Sequence, residues 1–153
     1  MKVRAIRLVL CCVAAVALIS CSSTPAELAA KHAKRGDEYV QKEKFKEAVI
    51  EYKNAVKAGP KDAALRWKLA KAALDAKDIR TAFQELQKAV ELDPQNYEAK
   101  GKLGELYVLA GKTEEAGQIA DNLVRSRPQD PQGYVLQSGL AVRAGKVDEG
   151  IAK

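Results

Sequence analysis

Of the side chains that could do covalent chemistry, the thiols stand out by position. Cys11, Cys12 and Cys21 all fall within the first twenty-one residues of a 153-residue chain. Beyond Cys21 no thiol remains to act as nucleophile, ligate a metal or form a disulfide. The single imidazole, His32, has no second histidine or cysteine at ligand spacing, so neither a zinc site nor a thiol–imidazole pair is expected. Gly111-Lys112-Thr113 has the residue types that end a phosphate-cradling loop, but the leading glycine of that motif falls on Leu106, in an apolar helical stripe with no strand before it. The paired acids Glu114-Glu115 and Asp148-Glu149 are better placed to meet the positive end of a helix than to trade protons. The reading is of a chain without catalytic residues, cofactor, metal or nucleotide.

Cys21 is the one reactive group in a telling context. Lys2, Arg4 and Arg7 precede an apolar run from Leu8 to Ile19, the layout of a secretory signal peptide. The run is shorter than the roughly 20 residues a spanning helix needs. Leu18-Ile19-Ser20-Cys21 resembles the bacterial lipobox. That resemblance implies cleavage before Cys21, a diacylglycerol on its thiol and acylation of the new amino terminus; the alternative is a plain signal peptide that contains cysteines. Residues 1–20 are then the signal peptide and 21–28 the lipidated N-terminus and tether. Two or more acyl chains anchor stably where one does not. The lipobox resemblance implies a bacterial envelope protein, and Ser22, in place of an aspartate retention signal, implies the outer membrane, facing the periplasm, where the source has two membranes. Thr24-Pro25-Ala26-Glu27 reads as a capping box with proline in the first turn, so a helix begins close to the anchor.

The net charge of +6 follows the same division. Without Lys2, Arg4 and Arg7 the 26 basic residues fall to 23 against 20 acidic, a net of +3. With export as well, a nucleic-acid partner is disfavoured. A charged fraction of 30% and few aromatics, at 5%, suit a helical protein rich in Ala, Lys, Glu and Leu.

The elements that position these groups repeat. Pro60, Pro94 and Pro128 stand 34 residues apart, as do Ala48, Ala82 and Ala116, and Gly111 and Gly145. Phe45, Ile79, Thr113 and Val147 keep the same spacing. Within a unit, Leu65, Leu69, Ala72 and Ala73 recur at helical spacing, then Ala82, Leu86, Ala89 and Val90; the next unit has Leu103, Leu106, Tyr107 and Ala110, then Ala116, Ile119, Ala120 and Leu123. Turns fall at Lys77-Asp78, Gly111-Lys112 and Gly145-Lys146, and each second helix stops near a proline. Period, small residues and terminal prolines resemble the tetratricopeptide repeat. The resemblance implies an all-α, right-handed superhelical array of helix-turn-helix units over 29–153: 29–62, 63–96, 97–130 and a partial 131–153. Its small residue in the first helix falls on Gly36, Ala70, Gly104 and Ser138, and the aromatic one turn on falls on Tyr39 and Tyr107, with Ala73 and Ala141 departing. The fourth unit stops early without a polar cap, which is expected of a longer or truncated chain or of an end that a partner covers, with a frayed C-terminus as the alternative that can accompany either.

In that family the first helices line a concave groove. Its ligand-facing columns map onto Ala33, Asp37 and Val40; Trp67, Lys71 and Leu74; Gly101, Glu105 and Val108; and Val135, Gly139 and Val142. Trp67 beside Lys71 has the character of an interface anchor, and the competing reading packs it between units. Asp37, Lys71 and Glu105 stand where the family's chaperone-tail clamp needs asparagines, so that clamp is not expected. The Lys42–Lys46 stretch reads as a solvated helical face, with lipid headgroup contact as the alternative. The function implied is a membrane-anchored protein–protein interaction scaffold with a protein or peptide in its groove. Ala48-Val49-Ile50-Glu51-Tyr52-Lys53-Asn54-Ala55 and Lys112-Thr113-Glu114-Glu115-Ala116 resemble the repeat lipoprotein of the PEP-CTERM/exosortase system, linked to exopolysaccharide production and protein sorting. The alternatives are a pilotin-like or outer-membrane assembly lipoprotein, and an N-terminal fragment of a longer repeat protein, with or without a following catalytic domain.

Overall fold

The computed structural model describes residues 23–145, which form seven helices and, among those residues, no strand. They are α1 (Pro25–Gln41), α2 (Phe45–Ala58), α3 (Ala63–Asp75), α4 (Ile79–Leu92), α5 (Tyr97–Leu109), α6 (Thr113–Ser126) and α7 (Pro131–Arg143). Each odd-numbered helix up to α5 pairs with the next, each even-numbered helix packs on the following unit, and α5 also touches α7. Cys21 and the fourth-unit residues after Gly145 lie outside the described residues. None of the described helices is long and apolar enough to cross a membrane.

Local chemistry sets each boundary. Thr24 and Glu27 form the expected capping box, each side chain bonding the other's backbone N–H, with Pro25 in the first turn. Asp62, Asn96 and Asp130, one period apart, cap α3, α5 and α7 by accepting backbone N–H bonds of 2.9–3.0 Å. The three helix-to-helix turns share one hydrogen-bond pattern: Lys44, Asp78 and Lys112 donate their N–H to the carbonyls of Tyr39, Ala73 and Tyr107 at 2.8–2.9 Å. This closure puts the preceding residue in the left-handed region. That residue is Gly111 at φ 74° in the third unit, but Glu43 at 55° and Lys77 at 62° in the first two. A side chain there costs roughly 1–2 kcal/mol. Lys77→Gly should therefore raise the unfolding free energy by about 0.5–1 kcal/mol, after the entropy glycine adds to the unfolded chain; a higher urea midpoint is the readout.

The same turn corrects the reading of Lys42–Lys46. Lys42 closes α1, Glu43 is left-handed and Lys44 precedes α2, so most of the stretch is turn and not helical face. It also lies across the 17 residues of α1 from the end nearest Cys21, about 25 Å away at helical rise.

The core is built largely of alanine. Ala48, Ala82 and Ala116, the repeated column, are all fully buried, as are Ala55, Ala70, Ala89, Ala99 and Ala120. Small side chains let helix axes approach closely, and the larger Leu69 and Leu86 fill the remaining space. Ala110 departs from the apolar stripe expected of it, capping α5 in solvent.

Candidate functional site

The first helices α3 and α5, with the start of α7, enclose a cleft of about 260 Å³ lined by Trp67, Lys71, Leu74, Asp75, Glu98, Lys102 and Gln132. Trp67 is half-buried and packs against the cluster of Ala70, Leu86, Ala89, Ala99, Leu103 and Leu106 while also walling the cleft, so it serves between units and at the surface together. The Lys71 ammonium lies 5.6 Å from the centre of its ring, a cation–π contact that holds the indole and lysine as one unit. Leu74, one turn further along α3, completes the apolar wall.

Other residues of the expected groove columns are engaged elsewhere. Ala33 is buried with Ala29, Ala55 and Leu65, and Val40 is half-buried on the core around Tyr52 and Leu69. Val108 is half-buried against Ala120, Leu123 and Leu136. Glu105 pairs within its own helix with Lys102, at 2.9 Å. Gly101 is buried beneath Gln132, whose carboxamide occupies the space a side chain would need. On α7, Val135 and Val142 are exposed.

Asp37 ties the first two units together. Its carboxylate accepts a 2.7 Å bond from the Tyr52 hydroxyl on α2 and 2.8 Å bonds to both oxygens from Lys68 on α3. Desolvation pushes the Asp37 carboxyl up, but the hydrogen bonds from Lys68 and Tyr52 outweigh it and hold the group below its ordinary 3.8. Burial, then the adjacent carboxylate, pushes the Tyr52 hydroxyl well above its usual range. Because the folded carboxylate is depressed, its stabilisation is present above pH 3.8 and lost as pH falls through the lower folded value. Its side chain is 43% exposed, so solvent screens the pair. Asp37→Asn should cost about 0.5–1 kcal/mol at neutral pH and should remove part of the stability loss seen as pH falls below 3.8, read by urea unfolding at each pH.

The remaining chemistry-bearing residues are also placed. His32 Nδ1 lies 2.6 Å from Glu51 across α1 and α2. Gly111 sits in the α5–α6 turn, and the Lys112 ammonium is 3.2 Å from Glu115 and over the Tyr107 ring. Among the described residues no group of His, Cys, Asp and Glu could hold a metal ion.

Sequence reasoning missed Asp75, Glu98, Lys102 and Gln132. Three columns per helix were taken to face the groove, and these four flank them. One signal was available: Glu98 and Gln132 are one period apart, in a single column.

Tetratricopeptide-repeat models match residues 33–97 and 73–140. No curated protein matches the sequence. Similar solved structures include a crystal structure of MamA, at 21% identity and TM-score 0.72 over 81% of this chain and 72% of that one. YrrB, described as a TPR protein with an unusual peptide-binding site, gives 22% and 0.74 over 81% of this chain and 64% of its own. The second TPR domain of human RPAP3, solved in complex with the HSP70 peptide SGPTIEEVD, gives 23% and 0.67 over 76% and 97%. At these identities the likeness establishes fold. The helix pairs, the shared turns at one period and the overlapping models agree that residues 33–140 are an array of tetratricopeptide repeats.

Proposed function

We propose that this protein is a non-catalytic interaction scaffold, anchored to the bacterial envelope through a lipid on Cys21, that holds a protein or peptide segment in the cleft of α3, α5 and α7. The observation that carries the binding reading is the cleft itself: an apolar wall of Trp67 and Leu74 with charged and amide groups converging around it. Neighbours of the same fold hold peptides, as the RPAP3 complexes do. The anchor and an outer-membrane location facing the periplasm rest on the sequence before residue 23. Replacing Cys21 with alanine should leave unprocessed precursor and no acylated form; lipid on that variant would sink the anchor.

The pathway reading, exopolysaccharide production or protein sorting in a PEP-CTERM/exosortase system, rests on the two phrases in the first and third units. Within the first, Ala48, Val49, Tyr52 and Ala55 are buried, so much of that phrase serves packing. In-cell crosslinking and pull-down of the protein beside Trp67→Ala tests both levels. Capture of export or sorting machinery, weakened about tenfold by the substitution, supports the pathway and the cleft. Capture of a secretin, pilus component or barrel-assembly machine replaces the pathway with pilotin-like assembly. Capture that ignores Trp67→Ala overturns the cleft.

A further inference from the structure

The cleft has an apolar wall and a rim of unequal charge. Of its four charged side chains, Lys102 is compensated, its ammonium 2.9–3.0 Å from both oxygens of Glu105. Lys71 lies over the Trp67 ring. The carboxylates of Asp75 and Glu98 line the same cleft and, among the described residues, have no hydrogen bond or ion pair. Two uncompensated carboxylates therefore face one cation that the indole already holds.

Two neutral groups at the cleft also lack protein partners among the described residues: the Trp67 indole N–H and the Gln132 carboxamide. Gln132 lies against α5 because Gly101 has no side chain; a Cβ there would meet the amide nitrogen, carbon and oxygen of Gln132 at 1.9, 2.1 and 2.7 Å. A carboxamide carries one acceptor and a pair of donors on adjacent atoms. An extended peptide backbone presents the complement, a carbonyl beside an N–H.

We infer that the cleft takes an extended peptide segment with a cationic side chain next to an apolar one. The lysine or arginine meets Asp75 and Glu98, the apolar side chain lies on Trp67 and Leu74, and the backbone pairs with the Gln132 carboxamide. An acidic segment, such as the peptide SGPTIEEVD in the RPAP3 complex, would bring its carboxylates against two unpaired ones, a like-charge arrangement that suppresses binding. This assignment rests on the cleft being the binding site, and it adds the class of partner.

Trp67 is the only tryptophan in the chain, so its emission reports occupancy of this cleft directly. The experiment titrates purified protein in mild detergent with a short leucine–arginine peptide and with its leucine–glutamate counterpart. The arginine peptide should shift Trp67 emission and bind at least about tenfold tighter, with salt weakening it. Asp75→Asn with Glu98→Gln should erase that preference. Gly101→Ala should weaken binding several-fold with helical content kept, because only the flexible end of Gln132 has to move. Tighter binding of the glutamate peptide with the same emission shift overturns the cationic class and leaves the cleft standing. Binding that leaves Trp67 emission unchanged overturns the cleft as the site. Binding of neither peptide overturns the cationic assignment, and capture at Trp67 in cells then judges the cleft separately.

Discussion

Leu86→Ala is expected to lower the unfolding free energy by about 3 kcal/mol. Leu86 on α4 is fully buried and packs with Ala70, Ala89, Ala99, Leu103 and Leu106, so it joins the second unit to the third. Ala70, Ala89 and Ala99 in that cluster cannot grow into the space, so part of the cavity persists and its cost adds to the lost transfer energy. Trp67 packs on the same cluster, so its emission should move to longer wavelength before helical signal is lost. A urea midpoint unchanged from wild type would show that the α4–α5 contact is not what couples these units.

Gly36→Ala should cost about 2 kcal/mol, although alanine is the better helix former by about 1 kcal/mol. An added Cβ would lie 2.5–2.8 Å from three ring atoms of Tyr52. That ring cannot swing aside: it is 3% exposed, and its hydroxyl is bound to Asp37. The same substitution at Gly101 meets only the end of the Gln132 side chain, so there the helix propensity dominates and stability should hold or rise. Comparing urea midpoints of the two variants separates close approach of helices from glycine content. Equal losses at both sites would contradict this account.

Much of the fold is legible in the period. Pro60, Pro94 and Pro128, the alanine column at Ala48, and Gly111 are local punctuation, and each does in the structure what its chemistry dictates: the prolines follow the second helices, the alanines are buried, the glycine is left-handed. The Thr24–Glu27 box was readable for the same reason, since its bonds span three residues. Glu43 and Lys77 were not, because their left-handed conformation is imposed by the turn's hydrogen bonds and contradicts their own preference.

The groove was only partly legible. Trp67, Lys71 and Leu74 come from one helix and share a face by spacing alone. Asp37 could not be read as a joint between units, because Lys68 is 31 residues away and the Asp37–Lys68 distance is set by how α1 and α3 pack. The rim of Asp75, Glu98 and Gln132 gathers three helices, and whether those side chains meet depends on interaxial distances that Ala70, Gly101 and Gly104 set by their size. Sequence by itself determined the repeat, its helices, its turns and which faces are apolar, because those follow from bonds and spacings within a few residues. Only the tertiary structure decided which polar groups are consumed in packing and which are left for a partner, because that depends on distances between helices.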